Sequence, residues 1–370
     1  MPNDVFFSPG STEVVGNHTD HQQGRVLAAA VRRGLVAECV PTDSSLVEIQ
    51  SHGFGTIKVQ LHSLDVRPEE FGTTEALVRG VAWAFRQLDL NIGGFFARVR
   101  STLSAGSGLS SSAAFSVLIG KIFNRYYNGD RVSPLVLART AKEAENRHFG
   151  KPCGLMDQIA CVLGGCVYAD FYTGELQMLD ADFRSMGLKL CLTDTGGSHA
   201  GLNSSYARIP ADMQYVAGLF EKETLAEVPP EEFYAKHWNT ADRPVRRALH
   251  FFEENERVPK MRDALLRKDG ETYMRLMNES GRSSEKYLNN IVTSATGDTR
   301  LEQGLECSAK LLDGIGAWRV HGGGFAGCVQ ALMPRDFYSE YKQGMEAVFG
   351  KGKCRETRLL RPQDIKRWVD

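Results

Sequence analysis

Apolar and polar positions alternate over residues 46–50 and 57–61, on either side of His52-Gly53-Phe54-Gly55, and this period of two predicts a β-hairpin. A helical period follows over 74–88. A short apolar strand, 94–99, then leads into a stretch rich in glycine and serine, and residues 112–127 read as a buried helix. Ser133 is a good N-cap with Pro134 at the first helical position, and Gly150 is a good stop. Residues 135–149 are therefore predicted helical, with Leu137, Ala141, Ala144 and His148 on one stripe and Glu145 beside it. Strands return after Gly164-Gly165, and a change of domain is expected near 182–188. Beyond it the pattern predicts a strand at 188–193, polar helices around 246–254, 260–268 and 271–278, and an apolar strand at 328–332 behind a glycine cluster at 321–327. Strands alternating with helices in both halves predict two domains, α/β or α+β, with ligands in the cleft between them.

Composition narrows the possibilities. The 370 residues exceed the ~250–300 at which a single core stops growing, so two domains are expected. With 44 Lys plus Arg against 45 Asp plus Glu and no basic stripe interleaved with aromatics, nucleic acid is not the expected partner. The eight cysteines include no Cys-x-x-Cys pair and sit mostly in apolar contexts, which reads as free thiols in a reducing compartment. No segment approaches the ~20 apolar residues of a membrane span, and the first residues lack the basic and apolar regions of a leader. The expectation is a cytoplasmic protein without membrane contact, a monomer or weak homodimer.

Residues 101–116, STLSAGSGLSSSAAFS, carry the clearest chemistry. Gly106 and Gly108 let the backbone approach a ligand closely, and Ser110, Ser111 and Ser112 place hydroxyls beside the unpaired N–H groups of a helix start. With the positive end of the helix dipole, this is an arrangement for phosphate. It has no Gly-Lys-Ser/Thr ending and does not complete Gly-x-Gly-x-x-Gly, so it is neither of the commoner nucleotide loops. His18 and Asp20 occupy alternate positions of a tight turn and can point the same way, although Asp and Thr also form turns for their own sake.

Four ordered motifs resemble the GHMP kinase superfamily, and galactokinases within it. Residues 104–113 are similar to Pro-x-Gly-x-Gly-Leu-Ser-Ser-Ser-Ala, with Ser104 in place of proline. Ser8-Pro9-Gly10 through Gly24 is similar to the signature Pro-Gly-Arg-x-x-x-x-Gly-Glu-His-Thr-Asp-Tyr. Residues 152–158 match Pro-Cys-Gly-Ile-Met-Asp-Gln, and 320–329 resemble the glycine-rich Thr-Gly-Gly-Gly-Phe-Gly-Gly-Cys. The resemblance implies an α+β fold of two domains: an N-terminal mixed α/β domain, residues 1–186, carrying the phosphate loop, and a ferredoxin-like C-terminal domain, residues 187–370, with the active site between them. It implies ATP and Mg²⁺, and transfer of phosphate to the anomeric hydroxyl of a hexose, galactose first. Asp157 would be the catalytic carboxylate. Asn17, His18, Asp20, Gly154 and Tyr206 would meet the sugar, Gly106, Ser107, Gly108, Leu109, Ser110, Ser111 and Ser112 would hold the nucleotide, and Ser112 with Glu145 the metal. An Asp of ordinary pKa near ~3.9 cannot strip a sugar hydroxyl outright, so Asp157 would position the nucleophile and take its proton late.

The departures fall on the chemistry. The signature arginine is Ser11, its glutamate is Asn17, an arginine of the segment around His199 is Ser198, and two aromatics of the adenine pocket correspond to Thr74 and Leu77. Losing such a cation costs several kcal/mol in a transition state. Three outcomes stay open at this point: another cation such as Arg25 or Arg208 fills the vacancy, the substrate differs, or the protein binds sugar and nucleotide as a sensor without turnover.

Overall fold

The computed structural model describes residues 3–51, 55–103, 108–197, 201–292, 297–361 and 364. Seven strands form the first sheet: β1 Asp4–Val15, β2 Arg25–Pro41, β3 Leu46–Ser51, β4 Gly55–Gln60, β5 Phe95–Ser101, β6 Cys166–Asp170 and β7 Glu175–Leu179. A second sheet holds β8 Leu188–Asp194, β9 Ala317–His321, β10 Cys328–Pro334 and β11 Cys354–Glu356, in the order β11-β8-β10-β9. The helices are α1 Thr74–Gln87, α2 Ser111–Asn128, α3 Pro134–Glu143, α4 Met156–Leu163, α5 Asn203–Gly218, α6 Pro230–Ala235, α7 Arg243–Leu266, α8 Gly270–Ser283, α9 Arg300–Leu312 and α10 Tyr338–Phe349.

The spine is β2. Its run of Val26, Leu27, Ala28, Ala29, Ala30 and Val31 is buried, because helices cover the sheet and leave that stretch no solvated face. β1 runs antiparallel along one edge of β2, while the other edge is divided between β6, paired with residues 25–29, and β5, paired with 35–41. The gap between them is filled from far along the chain: Leu359 bridges Val31, Leu360 N donates to Ala30 O at 2.7 Å, and Arg32 N donates to Arg358 O at 3.0 Å. One core packs α1, α2 and α3 on this sheet through Val81, Phe85, Leu118 and Phe123. A second joins the two sheets, bringing Val14, Leu27 and Tyr168 against Leu190, Tyr273, Leu276 and Leu332.

Most predicted elements are present at nearly the expected positions, and the eight cysteines are free. The turn of the β3–β4 hairpin at 52–54 lies outside the described residues. Ser133 caps α3 as expected, its hydroxyl accepting from Val136 N at 3.4 Å, but the predicted helix over 135–149 continues beyond Glu143 as a π-turn, Ala144–His148. Two predicted helices around 246–254 and 260–268 are a single one, α7, which passes through Pro259. Burial of Phe251, Phe252, Val258, Met261 and Leu265 on one side carries the helix across the missing N–H. Among the described residues no helix is long and apolar enough to cross a membrane.

Candidate active site

The start of α2 is clamped from two sides. Leu109 is buried and its carbonyl accepts from Ser11 N on β1 at 3.2 Å, while the Gly108 carbonyl lies 2.9 Å from His321 Nε2 at the end of β9. Facing a carbonyl, Nε2 carries the proton, which leaves Nδ1 to accept from Gln330 at 3.4 Å. Burial pushes the His321 pKa down to about 4, so the ring is neutral. Gly108 has φ +68° and Ser110 φ 53°, left-handed turns that deliver Ser111 and Ser112 to the helix start. Gly106 and Ser107, also expected at this loop, lie outside the described residues.

Asp157 sits in the first turn of α4 and accepts from Ser11 Oγ at 2.8 Å. The side chain that replaces the signature arginine is thus a neutral donor on the carboxylate. Asp20 is tied to the same turn: its carboxylate accepts from Met156 N at 3.2 Å and from His21 N at 2.9 Å. Gly154 is required here, because a Cβ at that position would overlap the Asp20 carboxylate. Burial raises the Asp20 pKa, the Met156 N–H opposes the rise, and the nearby Asp157 charge adds to it.

The glycine cluster ahead of β10 closes over the other side of this turn. His18 Nε2 lies 3.1 Å from Gly323 O and Nδ1 3.2 Å from His21 Nε2, and burial lowers its pKa to about 4. Tyr206 OH donates to Gly324 O at 2.5 Å. Asn17 is buried and engaged: its amide nitrogen donates to Glu13 Oε2 at 3.1 Å and Gly322 O at 2.5 Å, and its oxygen accepts from Ser284 at 3.2 Å. Behind it, Glu13 pairs with the buried guanidinium of Arg319 at 2.5 Å.

Glu145 is fully buried in the π-turn, which excludes a solvated surface role. Its Oε2 accepts from Ser112 Oγ at 2.7 Å and Lys151 Nζ at 3.1 Å, and its Oε1 accepts from Gln158 at 2.8 Å. Lys151 Nζ also reaches Ser112 Oγ at 3.1 Å. Its pKa is raised: burial works against the charge, but Glu145, Cys153 and Asp157 outweigh it. Ser112 Oγ and Glu145 Oε2 are adjacent hard oxygens, and Gln158 Oε1 beside them is buried without a partner, a donor set that suits a divalent cation sharing its shell with phosphate. Among the described residues no group of three or more His, Cys, Asp or Glu could hold an ion by itself.

Among the described residues, neither Arg25 nor Arg208, offered above as cations that could fill the arginine vacancy, hydrogen-bonds or ion-pairs with Asp157 or Ser11. Arg25 is committed to Asp170 at 2.8 Å, at the far end of β2, and Arg208 is exposed on α5. Lys151 is the cation present, and sequence reasoning missed it because the motif match began one residue later, at Pro152. Leu77 belongs to the core under α1 while Thr74 is exposed, so of these two only Thr74 is open to a ligand. Ser198 lies outside the described residues.

Known proteins resemble this chain in sequence and fold. Residues 76–165 match the GHMP kinases N terminal domain, and residues 2–41 match the galactokinase galactose-binding signature. A galactokinase of Streptomyces coelicolor is 27% identical over 97% of this chain and 92% of its own length. The galactokinase of Lactococcus lactis, solved with galactose, superposes with a TM-score of 0.83 at 23% identity, covering 96% of this chain and 93% of that one. The mevalonate kinase of Methanococcus jannaschii follows at a TM-score of 0.66 and 15% identity, covering 97% and 99%.

Proposed function

We propose that this chain, a galactokinase-like protein of the GHMP kinase superfamily, transfers the γ-phosphate of ATP to the anomeric hydroxyl of a hexose, galactose being the first candidate. One observation carries the reading: Ser11 ties Asp157 to the start of α2, its hydroxyl donating to the carboxylate and its N–H to Leu109 O, two residues before α2 begins and three before the Ser112 of the Ser112–Glu145 pair, while the turn of Asp157 is tied to Asp20. Residues 108–112 then hold the triphosphate through backbone N–H groups and serine hydroxyls. His18, Asp20 and Tyr206 face the sugar, with Gly154 leaving room for Asp20 and Asn17 supporting the wall behind them. Asp157 orients the hydroxyl and receives its proton as the bond to phosphorus forms. Mg²⁺, when bound, would shield triphosphate charge, held by Ser112 and Glu145 together with the nucleotide. We also keep the division into units of residues 1–186 and 187–370.

ADP release measured across a panel of hexoses and amino sugars, with the phosphate position of the product read by NMR, tests this. Sugar-dependent release giving a 1-phosphate supports it; a folded sample releasing no ADP with any sugar overturns it. That second result favours a sensor, for which the neutral Ser11 and the fully engaged Asn17 are the supporting observations. Calorimetry would then show sugar binding without turnover.

A further inference from the structure

Positive charge is scarce around the reacting groups. Among the described residues, Lys151 is the one Lys or Arg that hydrogen-bonds or ion-pairs with Ser112, Glu145 or Asp157. Its ammonium reaches the Ser112 hydroxyl in the first turn of α2, and Asp157 is among the nearby charges that raise its pKa. Its side chain remains 43% exposed although its partner Glu145 is buried, so the stem borders solvent while the ammonium at its tip is hydrogen-bonded. The backbone is fixed independently, Lys151 N donating to Glu145 O at 3.0 Å as the chain leaves the π-turn. A long side chain on a fixed backbone, its ammonium on Ser112 and Glu145 at the start of α2, is placed to meet an anion held at that helix start.

We propose that Lys151 is a catalytic cation: its ammonium leaves Glu145 and settles on the transferred phosphoryl group, supplying the charge that Ser11 cannot. The proposal rests on the phosphotransferase reading above. In the step it assists, the sugar oxygen bonds to the γ-phosphorus while the bond from that phosphorus to the β–γ bridging oxygen breaks. The bond's electron pair stays on ADP, and the hydroxyl proton passes to Asp157. The three equatorial oxygens carry charge throughout, and a preorganised donor there acts on the transition state more than on bound ATP. Glu145 Oε2, relieved of Lys151, keeps Ser112 as its partner, and the two oxygens could then hold a divalent cation together.

The test uses the full-length protein with Lys151→Met, Lys151→Gln and Lys151→Arg, each checked by thermal melting. Expected for Lys151→Met is a fall in kcat of about 100- to 1000-fold with the KM for ATP changed less than about 5-fold. Lys151→Arg should recover at least about a tenth of the wild-type rate, because it keeps a charged donor. A second readout needs no turnover. Binding of ADP, Mg²⁺ and aluminium fluoride in the presence of sugar, measured by calorimetry, should weaken in Lys151→Met by a factor comparable to the loss in kcat, whereas binding of a non-hydrolysable ATP analogue should change little. Should Lys151→Met fail to fold, Lys151→Gln carries the comparison, keeping a donor for Glu145 without the charge. Unchanged kcat together with unchanged fluoride-complex affinity in a folded variant overturns the proposal. If the wild type turns over no sugar, the phosphotransferase reading fails first and the two failures are told apart.

Discussion

Removing the Ser11 hydroxyl is the sharpest probe of Asp157. Ser11 is fully buried, and its hydroxyl donates to Asp157 Oδ1 at 2.8 Å, so Ser11→Ala deletes one donor and little volume. A hydrogen bond to a charged acceptor contributes about 1.5–3 kcal/mol. Asp157 is itself only half-buried and water can replace part of the lost bond. The lower end of that range therefore applies, about 1.5 kcal/mol, a loss of about tenfold. With Asp157 in the role proposed above, the bond fixes the carboxylate that orients the sugar hydroxyl, so the loss belongs in kcat and the KM for sugar should move less than about twofold. A coupled assay of ADP release, varying sugar and ATP separately, measures both. Asp157→Asn should abolish most turnover, and adding Ser11→Ala to it should change the remaining rate by less than about twofold, since the two share one function. A Ser11→Ala variant with wild-type kcat, or one whose whole defect lies in KM, would refute the reasoning.

Three further outcomes follow from the geometry. Gly154→Ala must push the Asp20 carboxylate off its place, breaking the bond from Met156 N; it should raise the KM for sugar by about tenfold or more, and the effect should shrink in an Asp20→Ala background if it acts through that residue. Glu13→Gln removes the carboxylate paired with the buried Arg319 guanidinium and leaves Glu254 as its nearby charge, a loss at the low end for a broken buried pair, about 3 kcal/mol; at about 2.1 cal/mol/K per residue over 370 residues, calorimetry should show the melting temperature falling by about 4 °C. An unchanged melting temperature would mean the pair contributes nothing. His321 is neutral with its pKa depressed from 6.5 to about 4, so the unfolded chain takes up this proton before the folded one as pH falls. Its contribution to stability is complete above pH 6.5 and declines from there toward pH 4. Denaturant titrations at stepped pH should show a shallower decline for His321→Gln, and equal slopes would count against a buried neutral ring.

Local signals were the legible ones. Ser133-Pro134 marks a helix start because cap and proline act within one turn, and α1, α2 and β8 follow from short-range periodicity. The pairing of Ser112 with Glu145, 33 residues apart, was reached through the motif resemblance, since no local period connects them. What stayed hidden depends on distance along the chain. β2 is disguised by Arg32, Arg33 and Gly34 in the middle of its apolar run, and its continuity comes from four partners on two edges. α7 survives Pro259 through burial that no helix scale registers. Lys151 reads as an ordinary surface lysine until the π-turn brings Glu145 under it. Ser11 was visible as a missing charge, but its bond to Asp157 across 146 residues was not.

The insertion of Leu359 and Leu360 beside Val31 has a consequence for biosynthesis. Translation at about 5–20 residues per second separates residue 31 from residue 359 by roughly 16–65 s. Until then Val31 and the backbone groups of Ala30 and Arg32 lack the partners they have in the folded chain. Residues 358–360, made long after the strand they pair with, therefore act as the latch that completes it.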